Sequence, residues 1–161
     1  MVKYMLNKGQ TFTYDFFMAS VIFFILLIIV FSYWTYVIKE TEETRKREDA
    51  FNYLIAASQV WFKEGYPKYW DNSSVIEIGL ANDRKINATK LQILNSSIGY
   101  QKFLSLLNVG PYNVFYNVTD ENSQTIFWFG AQPSQAKNVY QIERVGVLNN
   151  KPVKIKTILW D

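Results

Sequence analysis

The stretch from Phe16 to Ile38, FFMASVIFFILLIIVFSYWTYVI, carries no charge, no proline and no glycine. As a helix rising ~1.5 Å per residue it is roughly 35 Å long, enough to cross the ~30 Å hydrocarbon layer of a bilayer. Apolar side chains cover every side of it, so the surface helix of a soluble domain, with its single apolar stripe, does not fit. The bland alternative is the buried core helix of a globular fold, and the remainder of the chain reads as too small to wrap one. Such a helix needs lipid or copies of itself.

With that segment set aside, on the order of a hundred residues remain, enough for one small domain with its own core. The chain has no cysteine, so disulfides, thiolate nucleophiles and iron–sulfur ligation are excluded. It has no histidine, which removes the commonest general base and the commonest zinc ligand. The formal charge is +3, with basic residues scattered among acidic ones. No basic stripe tracks a phosphate backbone, so nucleic acid is not an expected partner. Gly-x-Ser-x-Gly, Gly-x-x-x-x-Gly-Lys and metal-ligand spacings are missing, and Asp120-Glu121 falls in an expected turn. The expectation is a non-enzyme with no catalytic residue, cofactor or metal.

Met1 to Gly9 is short and basic through Lys3 and Lys8, with Met5 as an alternative start. A secretory signal would place a small-residue cleavage site after the apolar run. That position instead holds Tyr33, Trp34 and Tyr36, an interfacial aromatic belt, and then charges, so the apolar segment is expected to stay in the mature protein. From Lys39 to Asp49 the charges include Glu42–Lys46 and Glu43–Arg47, i,i+4 pairs in the favourable order. Phe51, Leu54, Ile55, Ser58 and Phe62 then form one face, until Gly65 and Pro67 stop the helix. This predicts a single helix from about Thr11 to Glu64, with a hinge near Lys39 as the alternative.

Beyond it, Val75 to Leu80 reads as a short strand that turns at Asn82-Asp83 back into Lys85–Ile93, and Ser97 to Asn108 as a short helix. Two hairpins come next: Tyr112–Val118 with Thr125–Phe129, then Val139–Leu148 with Val153–Trp160 across Asn149-Asn150. The alternation predicts an antiparallel sheet with one face on the long helix and one face wet. The expected class is α+β, a long N-terminal helix, first transmembrane and then amphipathic, packed on a small antiparallel head. Trp61, Trp70, Trp128 and Trp160 are expected mostly in its core, with a glycan- or surface-binding patch as the alternative.

The order Lys8-Gly9-Gln10, a polar bridge, Asp15-Phe16 and a long apolar helix resembles the class III signal peptide of archaeal type IV pilin-like proteins. The head adds short matches in order: Gly65-Tyr66-Pro67 with Trp70, Ile78-Gly79-Leu80-Ala81, Ile86-Asn87 with Lys90-Leu91, Tyr100 with Lys102, and Tyr112-Asn113. The resemblance implies a leader over 1–9, cut between Gly9 and Gln10 by a prepilin peptidase. It also implies a helix over 10–64, with its membrane span at about 16–38, that packs with other pilin subunits in a filament core, and a head over 65–161. Asp15 takes the place of the family's acidic residue, usually a glutamate one position nearer the cut. An apolar helix edge makes an unpaired carboxylate costly to bury, and a neighbouring subunit's new α-amino group would neutralise it. The alternative keeps Asp15 at the headgroups as a helix-start residue favoured by the dipole.

Four N-x-[ST] sequons, at Asn72, Asn87, Asn95 and Asn117, are candidate N-glycosylation sites if the head is translocated. Lys39, Arg45, Lys46 and Arg47 alone would favour a cytoplasmic head over Lys3 and Lys8. They alternate with acidic partners, and the leader motif and sequons both require the head outside. The sequence is left with two readings: a filament subunit, major or minor, or an unprocessed single-pass adhesin whose head binds a surface or glycan ligand. A membrane-anchored hydrolase would need carboxylates clustered in a head cleft.

Overall fold

From Lys3 to Gln59 the chain contains no proline, and it forms one helix, α1 (Lys3–Gln59), in the computed structural model. The structure describes the backbone of residues 3–161 and the side chains of residues 13–161. The expected leader cut at Gly9 and Gln10 therefore lies outside the described side chains. The chain divides into two compact units, Met1–Lys46 and Arg47–Asp161.

In the first unit the helix closes its own backbone hydrogen bonds, the condition that a segment crossing a bilayer would have to meet. Its hydroxyls also bond within the helix: Ser20 Oγ donates to the Phe16 carbonyl and Thr35 Oγ1 to that of Phe31, each at 2.9 Å. Thr41 and Thr44 do the same one turn back, to Val37 and Glu40.

The second unit is α+β. Its part of α1 lies with α2 (Ala88–Ser97) and α3 (Tyr100–Leu107) around a six-stranded sheet of order β1-β2-β5-β6-β3-β4. The strands are β1 (Ala81–Asn82), β2 (Lys85–Ile86), β3 (Asn113–Thr119), β4 (Thr125–Gly130), β5 (Val139–Leu148) and β6 (Lys151–Trp160). All neighbours are antiparallel except β2 and β5, which touch in parallel at Ile86 and Leu148. β5 and β6 turn on Asn149 and Asn150, both at positive φ (53° and 61°), the tight turn that asparagine tolerates. The buried residues of β3 (Val114, Tyr116, Val118) alternate with partly open ones, so one sheet face meets the helices.

The core joins Ala50, Leu54, Ala57 and Trp61 to Phe103, Val114, Tyr116 and Leu159. Trp61 meets Tyr116 edge-on at 5.1 Å, and Phe103 meets Phe129 at 4.9 Å and Tyr116 at 5.6 Å. Tyr116 also donates its hydroxyl to the Ala57 carbonyl at 2.7 Å, satisfying one of the acceptors left open where α1 ends.

The predicted helix end at Glu64 is too late. After Gln59 the backbone pairs elsewhere: the Val60 carbonyl accepts from Leu80 at 2.8 Å and the Lys63 carbonyl from Ala81 at 2.9 Å. Gly65 (φ 75°) and Gly79 make this close approach feasible, since a Cβ on Gly79 would lie 2.2 Å from the Gly65 nitrogen. The same pairing replaces the expected 75–80 strand. Only a Tyr66–Glu77 bridge forms there, and the real strands begin at Ala81. The predicted Ser97–Asn108 helix is α3. The expected return segment over 85–93 instead divides into β2 and the start of α2. The signal for α2 is Asn87, whose Oδ1 accepts from Thr89 N at 2.8 Å and Lys90 N at 3.2 Å.

Candidate functional site

The main surface feature of the first unit is apolar. Phe16, Phe24, Ile25, Leu26, Ile29 and Val30 each have more than half of their surface open, and at ~100° per residue they are spread around the whole helix. The helix is long and apolar enough to cross a membrane. Asp15 is exposed immediately before the run. Because α1 begins at Lys3, Asp15 lies within the helix, and the helix-start reading does not hold in the uncut chain.

The four sequon asparagines do not form one site. Asn72 lies in a loop, Asn87 and Asn95 mark the start and the exposed side of α2, and Asn117 is on β3. Asn72 is tied down twice, through its carbonyl and its Oδ1, both accepting from Lys102 Nζ. The turn next to it is ordered by Asp71, whose Oδ1 accepts from the hydroxyls and amides of Ser73 and Ser74. Those bonds, the Ser73 hydroxyl first, hold the Asp71 carboxyl well below the usual range. Asn87 uses its Oδ1 as the α2 cap. Asn117 Oδ1 is buried without a partner.

Lys90 has a role that its sequence context does not announce. Its side chain is buried in α2, and Nζ donates to the carbonyls of Glu64 and, at 3.0 Å, Ala81, with the Trp70 ring 5.9 Å away. It staples the 60–65 turn to β1. Desolvation lowers its pKa, opposed by the nearby Glu64 carboxylate. The available signal is its phase, one residue before Leu91 and four before Leu94, on the apolar side of α2.

Asp120 and Glu121 line a cleft of about 400 Å³ between the β3–β4 and β5–β6 turns, with Lys151 opposite. Asp120 Oδ1 accepts from the Asn122 and Gln124 amides at 2.9 Å, the geometry of a self-capped turn. Among the described residues no group of three potential metal ligands converges. Of the four head tryptophans, Trp61 and Trp70 are core, the latter donating Nε1 to the Gly79 carbonyl at 2.9 Å. Trp160 bonds the Ala131 carbonyl, and Trp128 is open.

No family model, curated protein or solved structure matches the chain.

Proposed function

We propose that the chain is a structural subunit, major or minor, of a type IV pilus-like surface filament, held in the membrane and then assembled through α1. The observation that carries this reading is the apolar surface over 16–38, open on all sides of the helix. A surface with no polar side is equally served by lipid tails and by neighbouring copies, so moving from one to the other sacrifices little hydrophobic stabilisation. The Lys8-Gly9-Gln10 order ahead of it supplies the trimming step, the partner there being a prepilin peptidase. In the assembled state Asp15 pairs with the α-amino group of Gln10 on an adjacent copy. The α+β unit stands on the outer side of the membrane.

N-terminal sequencing of the native protein tests this. A start at Gln10 is expected, and Gly9→Val is expected to abolish it. An intact Met1 or Met5 overturns it in favour of the second reading, an unprocessed single-pass binding protein or adhesin. The observation favouring that second reading is the exposed trio Tyr66, Tyr69 and Ile76 on the loop before β1, apolar surface that the fold itself does not use.

A further inference from the structure

The sheet face turned away from the helices is not simply wet. Trp128 stands on it with 56% of its surface open, its ring 6.3 Å from that of Phe115 and tilted by 35°. Directly across the strands, Asn117 is the Cα partner of Trp128 on β4 and of Lys156 on β6. Opposed residues of this kind have Cβ atoms ~5 Å apart. Thr119 comes two positions later in β3, so the amide and the hydroxyl of the Asn117-Val118-Thr119 sequon share this face. Asn117 Oδ1 is buried and unpartnered, so the fold itself makes no use of this amide oxygen.

We propose that Asn117 carries an N-linked glycan whose first sugar lies on the Trp128 and Phe115 rings. This rests on the outer placement of the second unit. The four sequons differ in what surrounds them: the Asn72 and Asn87 amide oxygens are engaged by protein donors, and Asn95 stands on the exposed side of a helix. Asn117 has an aromatic platform directly beside its amide. A pyranose has a C–H face that removes apolar ring area from water when it stacks, and a hydroxyl rim that stays hydrated. Lys156, flanking Asn117 on the other side, offers that rim a donor. The occupant of this apolar patch is thus supplied by the chain's own sequon.

The donor is a sugar activated at its anomeric carbon as a lipid-linked phosphate or diphosphate. The Asn117 amide nitrogen forms a bond to that carbon, the carbon–oxygen bond to phosphate breaks, and the lipid phosphate departs with the electron pair. The amide nitrogen gives up one proton. Transfer precedes pairing of β3, because the amide is partly enclosed once β4 and β6 flank it.

The test is expression of the full chain in a cell that N-glycosylates translocated proteins, followed by glycopeptide mass spectrometry at all four sequons and hydroxyl-radical labelling of tryptophans. A glycan mass at Asn117 is expected. It disappears in Asn117→Gln and in Thr119→Val, and Trp128 labelling rises severalfold in both, while buried Trp61 stays protected as a check on folding. Glycans at other sequons with Asn117 bare overturn this site and leave the outer placement standing. No glycan at any sequon overturns both. A glycan at Asn117 with Trp128 equally labelled in Asn117→Gln overturns the stacking.

Discussion

Trp34, in the first unit, has 65% of its surface open, whereas Trp61, in the second, has none. The contrast extends to their neighbours: Phe23, Phe24 and Phe31 are bare, while Phe103, Tyr116 and Leu159 are enclosed. Burial contributes roughly 25 cal/mol per Å² of apolar area, so the second unit collects that stabilisation from its own fold. The first unit collects none until lipid or other helices surround it. A buried apolar side chain such as Trp61 therefore reports on folding, and an open one in the first unit such as Trp34 reports on environment.

Removing residues 1–46 is the largest perturbation of this contrast. The remaining chain keeps Ala50, Leu54, Ala57 and Trp61, which fill the core from α1 and the turn after it. It is expected to leave the membrane fraction entirely while unfolding in one cooperative transition by circular dichroism. Membrane retention without those residues would mean that the second unit carries its own anchor.

Matched truncations are the next step down. Phe103→Ala is expected to cost about 3–5 kcal/mol of unfolding free energy in a denaturant titration, as fully buried aromatics do. Phe23→Ala is expected to leave that titration unchanged. In the first unit the informative change is polarity: Leu27→Arg, near the centre of the run, adds about 3–4 kcal/mol to membrane insertion and should lower the membrane-bound fraction. An equal response of the two phenylalanines would erase the distinction between the units.

Gly79→Ala comes next, at the top of the ~1–3 kcal/mol range for overpacking or beyond it. The added methyl would meet backbone at Gly65, Glu64 and Lys63, none of which can rotate away as a side chain would. A thermal midpoint close to that of the unaltered chain would show that the 60–65 turn is free to separate from the 77–81 segment.

The two hairpins and α3 are legible in the sequence because each carries its periodicity and its turn residues locally, as in Val139–Trp160 around Asn149-Asn150. The 60–81 region is not, because its hydrogen bonds join residues far apart in sequence and leave no repeating pattern. Gly65 and Gly79 are visible as a helix stop and a short match, yet only their contact explains both. Lys90 is hidden for a similar reason: its phase beside Leu91 and Leu94 is visible, but the two carbonyls that satisfy it come from residues 64 and 81 and leave no local pattern. The apolar surface of 16–38 is fully legible, since among the described residues nothing covers it. The outward pairing of Asn117 with Trp128 needs the register of β3 on β4, which shifts at an irregularity between Val118 and Thr119.

The smallest effect separates the units by their polar groups. In the first unit Thr35 bonds a carbonyl one turn back, whereas in the second Tyr116 reaches the Ala57 carbonyl across the core. Tyr116→Phe leaves that carbonyl unpaired and is expected to cost about 1–2 kcal/mol at pH 7. Burial pushes the Tyr116 hydroxyl's pKa far above the tyrosine value near 10.0. Above pH ~10 the unfolded chain releases a proton that the folded chain keeps, so stability falls there by up to about 1.4 kcal/mol per pH unit. Lys90 has the opposite sign. Its folded pKa lies below 10.5, so between the two values the unfolded chain holds the extra proton and stability rises with pH. Stability is thus expected to climb toward pH ~10 and then drop. Tyr116→Phe should make the drop shallower without abolishing it, because burial also raises Tyr100 and Tyr112. Lys90→Met should flatten the climb alone. Denaturant titrations from about pH 8 to 11 measure both limbs, and an unchanged drop in Tyr116→Phe would mean that this hydroxyl already reaches water in the folded unit.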